Sequence, residues 1–135
     1  MTYALVEALI PRAKTGDERM TDIFMAAMKD GDVVTFHTVE TSKQEWEYGG
    51  SEGFWLKRLY DRPKAREQTF LMKVDAGAHA ESHAHDQTEQ IFVVDGTFYD
   101  QMRTYNAGDY VLREAGTNHT AGSATGATVL VVYTP

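Results

Sequence analysis

The chain has 135 residues, of which 42% are hydrophobic and 24% charged, a composition typical of a single globular domain with its own core. Its 20 acidic residues outnumber 13 basic ones, giving a net charge of -7, so binding to nucleic acid or to an acidic membrane surface is not expected. Because there is no cysteine, disulfides, thiolate nucleophiles and cysteine-ligated zinc sites are excluded.

Residues 1–31 are predicted to form a helical extension. Asp17 can cap the start of a helix, and Gly31 is a typical stop signal. Between them, apolar residues recur at helical spacing and form one stripe: Met20, Ile23, Phe24 and Met28. We expect this stripe to pack on its own domain or across a dimer, and a surface for a partner protein is the alternative.

Residues 32–135 are predicted to form an all-β jelly-roll barrel, because short β-rich segments alternate with glycine turns. The predicted strands are Val33–Glu40, Gly53–Tyr60, Glu67–Val74, Gln90–Val94, Thr97–Met102, Tyr110–Arg113, His119–Gly122 and Ala127–Tyr133. The Asp95-Gly96 pair predicts a hairpin turn between two of them. Phe92 and Val94 lie on the face opposite Ile91, so a second sheet or a second subunit is expected to cover that face.

Three of the five histidines and one glutamate suggest a metal site. His83 and His85 are two residues apart, so on a strand they would point to the same face. Glu89 follows His85 by four residues, an even number, after a predicted short turn. His119 comes from a distant strand. A single histidine is more often a surface or core residue, but three imidazoles and a carboxylate together suit a divalent first-row metal.

The spacing of these residues resembles both sequence motifs of the cupin family. The fixed positions of the first motif are matched by Gly77, His83, His85, Glu89 and Gly96, and those of the second by Gly108, Gly116 and His119. The chain departs at two positions, with Glu114 where the family often has proline and Ser123 where it often has asparagine. The resemblance implies a cupin-type double-stranded β-helix that binds metal through His83, His85, Glu89 and His119.

Within the cupins, residues 46–135 look most like the cupin domain of ChrR-type anti-sigma factors and of small free-standing relatives. The segments that carry this resemblance are Glu45-Trp46, Gly53–Tyr60, Gly96–Asp100 and Gly108–Val111. The resemblance implies a domain that senses a metal or a small ligand. The cysteine-containing zinc-binding module that precedes the cupin in those regulators has no counterpart here, so a sigma-factor partner is not expected.

The predicted function is that of a metal-dependent oxygenase acting on a small diketone or hydroxyketone chelated at the metal. The expected cofactor is one divalent transition metal, with iron favoured for an oxygenase and zinc, nickel or manganese as alternatives. A non-catalytic ligand or metal sensor of the ChrR type is a second interpretation. A Lewis-acid isomerase or hydrolase with Zn(II) or Ni(II) is a third, and a metal-free ligand-binding barrel is a fourth.

No catalytic residue is assigned beyond the metal ligands. Side chains expected to line the pocket are Tyr99, Phe70, Met72, Trp55, Met102 and His79. The expected partners are a small-molecule substrate or ligand and a second copy of the chain, since a jelly roll needs cover for its edge strands. With no membrane-length apolar run and no leader-like segment, a cytoplasmic location is expected.

Overall fold

The structure, a computed structural model, describes residues 36–135. The helical extension predicted for residues 1–31, its apolar stripe and the boundary at residue 32 lie outside the described residues. The predicted strand Val33–Glu40 is wrong for residues 36–40, which form no strand and lead into a short 3₁₀ turn at Thr41–Lys43. Among the described residues, no helix is long and apolar enough to cross a membrane.

The described part of the chain forms nine antiparallel strands. They are β1 (Glu47–Tyr48), β2 (Phe54–Arg62), β3 (Glu67–Val74), β4 (His79–His83), β5 (Thr88–Tyr99), β6 (Thr104–Asn106), β7 (Tyr110–Arg113), β8 (His119–Gly122) and β9 (Ala127–Thr134). Their order in the sheet is β1-β2-β3-β9-β5-β8-β4, with β6 and β7 also paired to β5. The sheet curls into a half-barrel, and the all-β prediction is confirmed.

Strand β5 bends where the sequence predicted a hairpin, and that prediction is wrong. Its first part pairs with β7 and β9, and its last three residues pair with β6. A register shift between Val93 and Asp95 and a φ of 74° at Gly96 produce the bend. A side chain at Gly96 would collide with the carbonyl of Gly126, so glycine is required at this corner. The turn-forming dipeptide therefore makes a strand change partners instead of reversing direction.

Ser123, one of the two departures from the cupin motifs, supports the same corner. It is fully buried, and its hydroxyl donates to the carbonyl of Thr97 at 2.5 Å. The same hydroxyl accepts a hydrogen bond from the amide of Gly126 at 2.8 Å. Serine at this position thus satisfies two backbone groups of the turn before β9.

The inner face of the curled sheet is the hydrophobic core. Its buried members are Phe54, Phe70, Val74, Ile91, Val93, Phe98, Tyr105, Ala121, Ala127, Val129 and Val131. The strand alternation places Phe92 and Val94 on the outer face, where they are 43% and 49% exposed in the single chain. The cover predicted for that face is therefore not supplied by the described part of the same chain.

Candidate metal centre

Three histidines from two strands and a loop meet in space. His83, the last residue of β4, lies opposite His119, the first residue of β8. His85 lies in the loop two residues beyond β4. Their ligand atoms all lie within 4.8 Å of one another, and their ring centroids are 4.5, 4.9 and 5.2 Å apart. The structure thus brings together the histidines that the sequence motifs singled out, here called the histidine cluster.

Backbone carbonyls orient two of these rings. Nδ1 of His83 lies 2.7 Å from the carbonyl oxygen of Glu81, and Nδ1 of His119 lies 3.0 Å from that of Thr117. Because a carbonyl oxygen only accepts hydrogen bonds, each Nδ1 carries the proton and each Nε2 keeps its lone pair. Histidines that bind metals are usually oriented in this way by a hydrogen bond from the other ring nitrogen.

Burial lowers the pKa of both His85 and His119. The negative charge of Glu89 works against this shift at both rings, whereas the charges of His83 and Arg113 add to it. A lowered pKa keeps these imidazoles neutral near pH 7. Neutral imidazole is the form that binds a metal.

The donor set of the histidine cluster fits a divalent first-row transition metal. Imidazole nitrogen is a ligand for iron, nickel and zinc alike, and neighbouring carboxylate oxygen also suits manganese. Three protein nitrogens on one side of an ion leave its other side open to substrate. The chemistry supplied by a metal bound here would be polarisation of a chelating oxygen ligand or, with a redox metal, activation of dioxygen.

Glu89, the predicted fourth ligand, lies beside the cluster and is held by other partners. Its Oε2 accepts a hydrogen bond from Nη1 of Arg113 at 2.9 Å, and its Oε1 accepts one from the hydroxyl of Tyr133 at 3.0 Å. Nε2 of His119 lies 3.4 Å from Oε2, and Nε2 of His85 lies 3.8 Å from Oε1. Within the described residues, the group whose ligand atoms lie mutually within 4.8 Å consists of the three histidines without Glu89.

Arg113 and Asp100 complete a buried ionic network that the sequence analysis missed. Nη2 of Arg113 donates to Oδ2 of Asp100 at 2.7 Å, and both side chains are at most 6% exposed. The alternation of side chains along β7 carried the signal. Leu112 points outward, so Arg113 lies on the inward face together with Val111. An ionisable residue at a core position of a strand is uncommon and calls for a buried partner.

Tyr133 is a second residue that parity could have found. It follows the inward-facing Val129 and Val131 on β9 at the same spacing of two. Its hydroxyl lies 3.2 Å from Nε2 of His85 as well as 3.0 Å from Glu89. Burial, followed by the neighbouring carboxylate, raises the pKa of the phenol, so Tyr133 stays protonated and acts as a hydrogen-bond donor.

The histidine cluster lines a cavity of about 440 Å³. Phe70 and Met72, two of the predicted pocket residues, lie in its wall. Further apolar wall residues are Phe54, Leu56, Ile91, Phe98 and Ala121. The polar part of the wall includes Glu89, Arg113 and Tyr133. A mostly apolar wall with a few convergent polar groups is the usual form of a small-molecule site.

Three other residues predicted to line the pocket lie away from this cavity. Trp55 and Tyr99 directly follow the inward-facing Phe54 and Phe98 in their strands, so they point to the other side of the sheet. Met102 lies in the turn after β5 and is 79% exposed. Counting the strand alternation from buried Phe54 and Phe98 would have placed Trp55 and Tyr99 on the opposite face, whereas Met102 is displaced because it lies in a turn.

His79 also lies outside the cavity, although its spacing from His83 predicted a shared face. Its Nδ1 is 3.1 Å from the hydroxyl of Tyr99, on the opposite side of the sheet. A register shift between Ala80 and His83 changes the alternation within β4. Such a bulge has no signal in the sequence of this strand, and it reverses the face expected for His79.

The comparisons with known proteins agree with this fold. A family model described as the ChrR Cupin-like domain matches residues 34–135, and the chain belongs to this family of cupins. The cupin resemblance stated from the sequence motifs is thereby confirmed. A search of curated protein sequences found no match.

Solved structures with the same fold come from proteins of different kinds. An RmlC-like cupin from Shewanella frigidimarina is 23% identical, with 75% of this chain and 92% of that chain aligned and a TM-score of 0.66. The polyketide cyclase RemF from Streptomyces resistomycificus is 18% identical, with 74% and 80% aligned and a TM-score of 0.65. An acetylacetone dioxygenase from Acinetobacter johnsonii is 15% identical, with 78% and 77% aligned and a TM-score of 0.64. The fold is therefore shared across several chemistries.

Proposed function

We propose that this protein is a metal-dependent oxygenase that acts on a small diketone or hydroxyketone, with Fe(II) as the working metal. The observation that carries the proposal is the histidine cluster itself, whose ligand atoms converge in the wall of a largely apolar cavity. A substrate whose two carbonyl or hydroxyl oxygens lie close enough to bind one ion could chelate a metal at the cluster. Its hydrocarbon part would contact the apolar wall.

The size and lining of the cavity favour a small, largely apolar substrate. About 440 Å³ is near the lower end of the range for small-molecule sites. The one arginine in the wall, Arg113, already donates to Glu89 and to Asp100. Away from the metal itself, a phosphate or an extra carboxylate on the substrate would therefore find little compensation for its charge.

The proposed reaction balances without an external reductant. A dioxygenase places both atoms of O₂ in the organic products, and cleavage of one carbon–carbon bond of a diketone then yields a carboxylic acid and a dicarbonyl compound. Acetylacetone is a 1,3-diketone, and a protein of this fold is named as its dioxygenase. Acetylacetone is therefore the first substrate to test, followed by hydroxyketones.

Tyr133 is the residue of this chain best placed to contact a substrate oxygen. Its hydroxyl lies near both His85 and Glu89, and it remains protonated because burial raises its pKa. If the hydroxyl turned its proton from Glu89 to a chelated diketone, it would stabilise the negative charge that the diketone gains on chelation. The apolar residues Phe70 and Met72 would hold the rest of the substrate and exclude water.

A ligand or metal sensor is the second candidate function, because the family match is to the ChrR cupin-like domain. A sensor would bind metal in the same cluster but would not consume O₂. A Lewis-acid isomerase or hydrolase with Zn(II) or Ni(II) would likewise consume no O₂. Oxygen uptake therefore separates the first proposal from the other two.

The test begins with metal content, measured by plasma mass spectrometry on protein purified anaerobically without an affinity histidine tag. We expect near one iron per chain and O₂ uptake in a 1:1 ratio with acetylacetone or a hydroxyketone. His83→Ala and His119→Ala should remove most of the metal. His79→Ala is the matched control outside the cluster and should keep it. Stoichiometric metal in both cluster variants, or no uptake of Fe(II), Zn(II) or Ni(II) by the wild type, would overturn the proposal.

A further inference from the structure

We infer that Arg66 and Gln87 are positioning residues, which hold His85 in the histidine cluster by fixing the loop that carries it. His85 lies in the loop between β4 and β5, residues 84–87, whereas the other two histidines of the cluster belong to strands. Arg66 ends the turn between β2 and β3. The inference rests on the proposed metal site and goes beyond it, because neither positioning residue belongs to the cavity wall.

The ring of His85 lacks the backbone contact that orients the other two histidines. Nδ1 of His83 and Nδ1 of His119 each donate to a carbonyl oxygen, at 2.7 and 3.0 Å. Within residues 36–135, the hydrogen-bond partner of the His85 ring is the hydroxyl of Tyr133, which lies 3.2 Å from Nε2. The placement of this ring therefore depends more on the backbone of its loop than the placement of the other two does.

Arg66 is joined to this loop through both its side chain and its backbone. Its Nη2 donates to the carbonyl oxygen of Asp86 at 3.0 Å and also lies 3.0 Å from Oδ2 of the same residue. In return, Nε2 of Gln87 donates to the carbonyl oxygen of Arg66. The two residues that follow His85 are thus fixed to one residue of the neighbouring turn. Arg66, Asp86 and Gln87 are here called the loop clamp.

A second contact holds the loop from its other side. The amide of Gly116 donates to the carbonyl oxygen of His85 at 2.8 Å. Gly116 lies between β7 and β8, three residues before His119. The loop is therefore held from two turns, and we expect loss of the loop clamp to loosen it without releasing it.

The backbone conformation of Arg66 indicates that its side chain has a task. With φ 56° and ψ 40° it is left-handed, and within residues 36–135 it is the one residue other than glycine that has a positive φ. Glycine adopts this conformation without strain, whereas a side chain is disfavoured there. An arginine in place of the unstrained residue points to the contacts that its side chain makes, which are those with Asp86.

The loop clamp can position His85 without adding much to the stability of the fold. The side chains of Arg66 and Asp86 are 48% and 89% exposed, so water screens their attraction and the ion pair adds little to the free energy of unfolding. Metal affinity responds more strongly, because it depends on how closely the ligands are held before the ion binds. A positioning role therefore predicts a loss of metal affinity at nearly unchanged stability.

The direct test is to titrate the metal-free protein with cobalt(II) chloride and to record the dissociation constant and the visible absorption spectrum. We expect Arg66→Gly to weaken Co(II) binding about tenfold, because His85 would spend less time beside the other two rings. The urea midpoint should stay close to that of the wild type, since glycine relieves the left-handed strain. Lys64→Gly is the matched control, because it also removes an exposed cation and adds a glycine in the same turn. It should leave the Co(II) affinity unchanged within about twofold.

Gln87→Ala tests the other half of the loop clamp. We expect it to weaken Co(II) binding as well, and the double variant with Arg66→Gly should bind no more weakly than the two separate losses multiplied, because both changes break one clamp. At saturating Co(II), the spectrum of either variant should match that of the wild type, since the ligands are the same. His85→Ala should instead weaken binding by at least about 100-fold and change the spectrum, as loss of a ligand does.

The outcomes separate this inference from the proposed function. A wild-type protein that binds no cobalt would overturn the metal site and the role of the loop clamp together. Cobalt binding that Arg66→Gly and Gln87→Ala weaken no more than Lys64→Gly does would overturn the loop clamp alone and leave the metal site intact. A loss of affinity that is matched by a fall in the urea midpoint would show that Arg66 acts on folding, which also overturns the positioning role.

Discussion

The two faces of strands β5 and β7 carry opposite chemistry. On the inner face, Ile91 and Val93 are each 1% exposed, and the ionised pair Glu89 and Arg113 is buried among them. On the outer face, large apolar side chains are about half exposed in the single chain: Phe92, Val94, Tyr110 and Leu112. The inner face thus holds a buried ion pair among core residues, and the outer face exposes large apolar groups, each the reverse of the usual placement of that kind of side chain.

This reversal indicates what each face does. Buried charges are unfavourable for stability unless they are fully paired, so a buried ionic network beside the histidine cluster is what the proposed metal site would require. An exposed apolar sheet face indicates an interaction surface. The predicted homodimer would bury that face, and it stays a prediction. Two substitutions and a change of pH test this contrast between the faces.

Breaking the inner network should have the largest effect. Arg113→Met leaves Glu89 and Asp100 buried without their cation, and we expect the free energy of unfolding to fall by about 3–5 kcal/mol. Urea denaturation of the metal-free protein measures this loss. Arg58→Met is the control, because the 3.3 Å ion pair of Arg58 with Glu47 is more than half exposed and is worth less than about 1 kcal/mol. Similar small losses in both variants would show that the network adds little to stability.

Acidification should destabilise the metal-free protein through the same face. The pKa values of His85 and His119 are lowered below 6.5 in the folded state, so the unfolded chain takes up protons first as the pH falls. Stability should be constant above pH 6.5 and fall below it, by at most about 1.4 kcal/mol per pH unit for each histidine. Urea midpoints between pH 7.5 and 5 measure the slope.

The double variant His85→Asn with His119→Asn should flatten the pH dependence in that range. Asp100 should not add to the slope between pH 7.5 and 5. Its pKa is lowered from 3.8 in the folded state, so its contribution to the free energy of unfolding is lost only at lower pH. A slope that persists in the double variant would assign the effect to other groups.

The outer face should show the smallest effect on folding and a clear effect on assembly. Leu112→Asp places a charge on a side chain that is 48% exposed, so the unfolding free energy of the single chain should change by about 0.5 kcal/mol or less. If this face pairs two copies, sedimentation velocity should show a dimer for the wild type and a monomer for the variant. A variant that remains dimeric would place the interface elsewhere.

The features that could be predicted from the sequence depend on short spacings. Glycine turns and alternating apolar residues predicted most strands, and the two motifs singled out the histidines that meet in the cluster. These inferences succeed because strand alternation and turn conformation are local properties of the chain. They fail where a bulge alters the alternation, as in β4, or where a turn dipeptide bends a continuous strand, as at Asp95-Gly96.

The sequence by itself determined the all-β class, the cupin family and which histidines gather. Only the tertiary structure decided what surrounds Glu89, because Arg113 and Tyr133 are 24 and 44 residues away from it along the chain. It likewise decided which of the six expected pocket residues line the cavity. Contacts of this kind depend on strand register and sheet curvature, and one bulge or one bend changes which side chains face each other across the barrel.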